Sequence, residues 1–193
     1  MIPGIFVAAG EGRRFGSQKL ISIIEKEPVI IKGLRSCIQS DLNKIIVVLG
    51  YESEKVKAII EEYFPENEKL IIMVNPDYRK GIISSLNAGL RLLGSETENV
   101  MMILADMPFV RYETINKLIG FRERNKMIIP EVNGVYTHPR IIPESLFAEF
   151  FKLERFTSGK DVIRKNRGLI KTIIFDNVDE FLDIDTKKDL EKL

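Results

Sequence analysis

The stretch "GIFVAAGEGRRFGSQKL", residues 4–20, decides the fold. It opens as an unbroken apolar run, the pattern of a strand covered on both faces. It then packs Gly10, Gly12 and Gly16 together with Arg13, Arg14 and Lys19 into one short loop. Glycines let backbone N–H groups crowd around an anion, and the cationic side chains supply charge that a neutral ligand would not need. The loop reads as a polyphosphate site at the end of a buried strand.

Similar apolar runs recur along the chain: "KIIVVLG" (44–50), "KLIIMVN" (69–75), "VMMILAD" (100–106), "KMIIP" (126–130) and "KTIIFD" (171–176). Helical patterns lie between them. Val56, Ile59, Ile60 and Tyr63 fall at i, i+3, i+4 and i+7, with Ser53 placed to cap the start and Glu54 in the first turn. Leu86, Leu90 and Leu93 repeat the spacing before Gly94, as do Ile115, Leu118 and Ile119 before Gly120. A further helix is expected across "ESLFAEFFKL" (144–153), and a closing strand and helix in "FLDIDTKKDLEKL" (181–193). Alternating strands and helices predict a three-layer α/β/α, Rossmann-like domain with a mostly parallel sheet. In such sheets ligands sit beyond the carboxyl ends of the strands. This singles out the glycine loop, Gly50, Asn75, Asp106 and the Asp183/Asp185 pair.

Composition sets the bounds. At 193 residues and 45% hydrophobic, the chain suits one well-buried core, so a single domain over 1–193 is expected. With 29 basic and 28 acidic residues the net charge is +1, and no global field recruits nucleic acid or a membrane surface. Cys37 is the one cysteine, which excludes an intramolecular disulfide and a cysteine-rich metal site and suits a reducing cytoplasm. The apolar runs are far too short for a bilayer span, and the N-terminus lacks the pattern of a secretory signal.

The glycine spacing discriminates among phosphate-binding loops. A dinucleotide fold needs G-x-G-x-x-G, whereas Gly10, Gly12 and Gly16 stand as G-x-G-x-x-x-G, and the second strand runs into Gly50 with no acidic residue at its end. A P-loop needs G-x-x-x-x-G-K-[ST], whereas Gly16 is followed by Ser17-Gln18-Lys19. What remains is a strand, a glycine turn, Arg14 and Lys19, a set suited to a triphosphate neutralised from more than one side. The bland alternative is an ordinary strand-to-helix turn with solvated basic residues. "FTSGKDV" (156–162) also holds a Ser-Gly-Lys, but without the upstream glycine it reads as a turn opening a helix.

"AAGEGRRFGSQKL" (8–20) resembles the L-A-A-G-x-S-x-R-M-G-x-x-K-L signature of the MobA-like nucleotidyltransferases, particularly their molybdenum cofactor cytidylyltransferase branch. "NPDYRKGIISSLNAGL" (75–90) resembles that branch's N-P-x-[WY]-x-x-G-M-x-S-S-L, and "LADMP" (104–108) its L-G-D-Q-P. "THP" (137–139) resembles G-H-P, and "DIDTKKDL" (183–190) the closing D-I-D-T-P-E-D-L. The segments keep family order over most of the chain. Gly12 stands in place of Ser, Thr137 in place of Gly, and Lys187-Lys188 in place of Pro-Glu.

The resemblance implies a nucleotide-diphospho-sugar transferase-like fold, with a nucleotide-binding half over about 1–110 and an acceptor-binding half over about 111–193. It implies a reaction in which a phosphate monoester attacks the α-phosphorus of an NTP, CTP favoured, and pyrophosphate leaves. The acceptor implied is molybdopterin or a similar phosphorylated small molecule, and a molybdoenzyme would be the downstream partner. A phosphate monoester has a second pKa near ~6, so it is mostly dianionic at neutral pH and no catalytic base is needed. The reaction does need a hard divalent cation, Mg²⁺, with cations around the leaving group and in-line alignment.

Asp106 ends a buried run just before Met107-Pro108, so its carboxylate should emerge at the ligand edge as the first metal ligand. Asp183 is the second metal candidate, two residues from Asp185, so that an extended chain puts both on one face. Asp185 is equally placed to cap the closing helix. Lys19 and Arg14 are expected on the β- and γ-phosphates, making Lys19, Arg14 and Asp106 the catalytic set. Ala8, Ala9, Gly10, Gly12 and Gly16 permit close approach to the nucleotide, and Asn75 has the donor and acceptors to read a base or ribose. Ser84 and Ser85 are nucleotide-binding by resemblance and helix caps by position. His138 and Asp185 are the acceptor-side candidates. Two alternatives stay open: a GTP-using or sugar- or polyol-phosphate enzyme of the same chemistry, and a non-catalytic nucleotide or cofactor chaperone. A mere binder has no need of Asp106, Lys19 and Arg14 together.

Overall fold

The computed structural model describes residues 1–12, 15–16, 18–153, 159–186 and 189. Its strands are β1 (Pro3–Ala8), β2 (Ile23–Ile24), β3 (Glu27–Pro28), β4 (Lys44–Leu49), β5 (Leu70–Val74), β6 (Asn99–Leu104), β7 (Met127–Val132), β8 (Val135–Tyr136), β9 (Arg140–Pro143) and β10 (Ile170–Ile174). Its helices are α1 (Val29–Gln39), α2 (Ser53–Tyr63), α3 (Ile82–Leu90), α4 (Tyr112–Gly120), α5 (Phe147–Phe151) and α6 (Lys160–Lys165). Each of the six apolar runs read from sequence forms a strand. The main sheet runs β10-β7-β9-β6-β1-β4-β5, with β8 hairpinned onto β7. Most pairings are parallel; β9 lies antiparallel between β6 and β7.

Alternate residues of each central strand enter two different cores, which is why these strands are apolar without a break. Phe6, Val47 and Met101 pack with α1, α2 and α4 on one face. Ile5, Val48 and Met102 pack with α3, α5 and α6 on the other. The expected three layers are therefore present. The sheet order reverses at β1, with β4 on one side and β6 on the other. The carboxyl end of β1 is thus the switch point at which an open α/β sheet leaves a crevice.

Four local expectations need correction or limiting. Ser53 is the first residue of α2 and not its cap; the cap position is Glu52, in the left-handed region (φ 48°), with no side-chain cap. The cap position of α3 is Gly81, so neither Ser84 nor Ser85 caps that helix. No strand forms in "FLDID": Ile184 N–H donates to the Asp106 carbonyl (2.8 Å), a single bond that ties the segment beside the sheet without extending it. The closing helix falls almost wholly on residues outside the described ones.

Candidate functional site

The glycine loop leaves β1 at Ala8, and Ala9 and Gly10 line a cleft of about 190 Å³ with Tyr78, Gly81, Ser85 and Asp106. Gly12 (φ 58°) and Gly16 (φ 78°) sit where a side chain is strained. The Gly12 carbonyl accepts from Phe15 N–H (2.8 Å) and Gly16 N–H (3.2 Å), and the buried Phe15 ring plugs the turn into the core. Buried Gln18 donates from Nε2 to the Tyr51 carbonyl (2.7 Å), fixing the loop's far end. Gly50 lets three segments meet: a Cβ there would lie 2.6 Å from Tyr78 Cβ and 2.7 Å from the Ala9 carbonyl oxygen.

Lys19 begins a single 3₁₀ turn, and its side chain reaches across the sheet edge. Its Nζ donates to Asp106 Oδ2 at 2.8 Å and to the Ile184 carbonyl at 2.9 Å, with Asp185 Oδ1 at 3.5 Å. Asp106 stands two residues past β6, so strand geometry brings it beside the end of β1. Ile184 is buried in the core, and Asp183 and Asp185 on either side of it face the Asp106 region. The Asp183 carboxyl is raised above its ordinary value by partial desolvation, then by Asp185 and Asp106; Lys19 opposes this only in part.

The groups that accept from Lys19 Nζ are all oxygen, and together they already stabilise a positive charge. That chemistry fits a hard divalent cation, for which Asp106 and Asp185 present carboxylate oxygens at the Lys19 ammonium, with Asp183 in electrostatic reach of both. Among the described residues no three carboxylate, imidazole or thiol groups form a complete cage. A cation here would therefore complete its shell with phosphate oxygens and water, as Mg²⁺ commonly does.

The remaining candidates divide. Ser85 lines the cleft beside Asp106, whereas Asn75 and Ser84 line a neighbouring cleft of about 180 Å³. Asn75 Nδ2 donates to Ser84 Oγ (2.9 Å) and Ser85 Oγ (3.1 Å), while its Oδ1 accepts from Asp77 N–H (3.0 Å), so its amide braces the turn before α3. His138 is half-buried with its Nδ1 enclosed, and lines a cavity of about 160 Å³ with Ile82, Met102 and Arg140. Its pKa is pushed well below the usual imidazole value by burial and then by Arg140, against the Met102 carbonyl, so the ring is neutral at pH 7. Arg13, Arg14, Ser17, Ser158, Lys187 and Lys188 lie outside the described residues.

Sequence reading passed over the group that anchors Asp183 and Asp185. Glu180, its side chain 8% exposed, accepts from Thr114 Oγ1 (2.6 Å), Arg111 Nε (2.9 Å) and Asn177 Nδ2 (3.1 Å). This ties α4 to the turn that leads into "FLDID". In "FDNVDEFLD" (175–183) it is one of four carboxylates, so nothing local marked it. Arg79 Nε, which donates to Glu11 Oε1 at 2.9 Å and so links the glycine loop to the turn before α3, carried no signal at all.

The profile of the MobA-like NTP transferase domain matches residues 4–170. The molybdenum cofactor cytidylyltransferase of Escherichia coli (strain K12) is 24% identical over 96% of this chain and 91% of its own length. The purine catabolism protein PucB of Bacillus subtilis (strain 168) is 26% identical over 75% of this chain and 71% of its own. Among solved structures, Rv0371c from Mycobacterium tuberculosis H37Rv superposes with a TM-score of 0.85 at 20% identity, covering 99% of this chain and 96% of that one. A nucleotidyl transferase from Methanothermobacter thermautotroptrophicus gives 0.83 at 16% identity, covering 100% and 95%. A strand-end crevice walled by a glycine turn, with a lysine and an aspartate at its edge, thus sits in a chain that belongs to the MobA-like NTP transferase family and is a nucleotidyltransferase.

Proposed function

We propose that the chain transfers a cytidylyl group from CTP to a molybdopterin-like phosphorylated acceptor, with Mg²⁺ as the metal. The observation that carries the reading is the Lys19–Asp106 pair (2.8 Å) at the mouth of the cleft lined by Ala9, Gly10 and Ser85. Lys19 binds the β- and γ-phosphates and neutralises charge moving onto pyrophosphate, Arg14 acting with it. Ala8, Ala9, Gly10, Gly12 and Gly16 admit the nucleotide close to the backbone, with Ser85 beside it and Asn75 and Ser84 shaping the turn behind. Asp106 and Asp183 hold the metal, which when bound supplies Lewis-acid neutralisation at the reacting phosphate. His138 and Asp185 face the acceptor. The nucleotide half (about 1–110) and the acceptor half (about 111–193) meet where Lys19 bonds Ile184.

The relatives support a cytidylyl choice: the Escherichia coli protein is a molybdenum cofactor cytidylyltransferase, and a Dictyoglomus thermophilum relative, 28% identical over 65% of this chain, is a 2-C-methyl-D-erythritol 4-phosphate cytidylyltransferase. One structural neighbour is a manganese complex, which supports a divalent metal. Among the described residues no helix is long and apolar enough to cross a membrane. A cytoplasmic site of action, with hand-over of the product to a molybdoenzyme, completes the proposal. The test is pyrophosphate release with each NTP and Mg²⁺, adding molybdopterin or simple phosphorylated acceptors in turn. Release confined to CTP and dependent on molybdopterin is expected; release with no NTP, or unaffected by any acceptor, overturns the reading.

A further inference from the structure

Glu11 is out of place in a loop suited to an anion. It stands between Gly10 and Gly12, in the segment that Arg13, Arg14 and Lys19 make cationic. A carboxylate there repels the polyphosphate that the rest of the loop attracts. Its side chain does not turn away into solvent: it is 19% exposed, and Oε1 accepts from Arg79 Nε at 2.9 Å.

Arg79 comes from the other wall of the cleft. It belongs to the 3₁₀ turn Tyr78–Lys80, which leads through Gly81 into α3. Tyr78 and Gly81 line the cleft together with Ala9 and Gly10, so the Glu11–Arg79 pair joins two segments that flank one space. Lys80, the next cation of the turn, is held by Asp77 at 2.8 Å. The Arg79 guanidinium lies over the Tyr78 ring, 5.6 Å from its centroid, and its side chain is 68% exposed. An ion pair this open is worth little as a structural tie. A long, exposed arginine can instead change partner without any movement of the backbone. A triphosphate in the cleft brings several negative charges up to Glu11 and offers the guanidinium a bidentate acceptor.

We propose that Arg79 is a further polyphosphate ligand of the nucleotide site, held at the cleft by Glu11 and passed to the β- or γ-phosphate when a triphosphate binds. Glu11 is then the competitor that the phosphate displaces. The two residues tune triphosphate affinity in opposite directions, and they discriminate a triphosphate from a monophosphate, which does not reach Arg79. The inference rests on the nucleotidyl-transfer reading for the identity of the ligand, but the exchange of partners applies to any polyphosphate.

Calorimetric titrations of the whole chain with Mg²⁺ test it. A non-hydrolysable CTP analogue, CMP and inorganic tripolyphosphate are each titrated into the parent, Arg79→Gln, Arg79→Lys, Glu11→Gln and the double variant Glu11→Gln/Arg79→Gln. Arg79→Gln should weaken the CTP analogue and tripolyphosphate about tenfold or more, as for loss of a charge-assisted hydrogen bond, and leave CMP within about twofold of the parent. Glu11→Gln should tighten both polyphosphates, and the double variant should fall between the two single ones. Arg79→Lys should recover only part of the loss, because an ammonium makes no bidentate contact. If Arg79→Gln weakens CMP as much as the CTP analogue, the pair merely holds the cleft walls together and the proposal is overturned. Parent-like affinity of Arg79→Gln for both polyphosphates overturns it too. Should neither the CTP analogue nor CMP bind the parent, the function proposed above fails, and tripolyphosphate then judges Arg79 alone; if that ligand does not bind either, both readings fall.

Discussion

Lys19 Nζ lies 2.8 Å from Asp106 Oδ2 although 87 residues separate them in the chain, and the same ammonium bonds the Ile184 carbonyl at 2.9 Å. The contact joins the glycine loop, the end of β6 and the C-terminal segment at one point, and each of the three has a consequence that can be measured.

Asp106→Asn keeps the shape of the side chain and removes its charge. Pyrophosphate release should fall by at least about 10²–10³-fold, as for loss of one preorganised charge-stabilising group, while CTP binding stays measurable. Lys19→Ala should weaken both, because the ammonium serves the ground-state phosphates and the leaving group alike. Steady-state rates with CTP titrations separate the two cases; parent-like turnover in Asp106→Asn removes that residue from the site.

Chelation should abolish turnover and added Mg²⁺ should restore it. In Asp183→Asn the Mg²⁺ concentration giving half-maximal activity should rise, with a smaller effect on the rate at saturation. If the Mg²⁺ requirement is unchanged, Asp183 is not a ligand.

Gly50→Ala places a methyl group 2.6 Å from Tyr78 Cβ and 2.7 Å from the Ala9 carbonyl oxygen. Both neighbours belong to the cleft, and one of the contacts is backbone. Overpacking of this kind costs about 1–3 kcal/mol. Denaturant unfolding should show that loss, and CTP titration a weaker affinity, since Ala9 and Tyr78 must both move.

Glu180 reports on the C-terminal anchor. Burial alone raises its pKa, but the hydrogen bonds from Thr114 and Arg111 outweigh burial and hold it below the ordinary glutamate value. A carboxylate with a depressed folded-state pKa contributes stability that is present above the unfolded value of ~4.3 and lost as pH falls through the folded one. Glu180→Gln should therefore cost about 1–3 kcal/mol at neutral pH. The gap from the parent should close in acid. A pH series of unfolding curves checks the sign, and a gap that widens on acidification contradicts it.

Much of the architecture was legible in the chain because burial on two faces demands unbroken apolar runs, and six of these became β1, β4, β5, β6, β7 and β10. β9 was passed over. Its four residues, "RIIP", follow Pro139 and end on Pro143, and an apolar run has the same pattern whether its neighbours run parallel or antiparallel. The β7–β8 hairpin did leave a signal, Asn133-Gly134 with both residues at positive φ, the dipeptide that a two-residue turn prefers. At the site, residue type and position after a strand pointed to Asp106, Lys19 and the glycine loop. Glu180 was hidden because its partners lie on another helix and on a turn, where no local spacing records them.

By itself the amino-acid order determined the three layers, the glycine turn at the end of the first strand, and an acidic residue at the end of "VMMILA", since each follows from local periodicity and backbone chemistry. Only the tertiary structure decided that the sheet order reverses at β1, that Ile184 returns to bond Lys19, and that His138 and Arg140 line one cavity. Those relations depend on which distant segments pack together when two cores close around a single sheet, and contact between them has no period in the sequence.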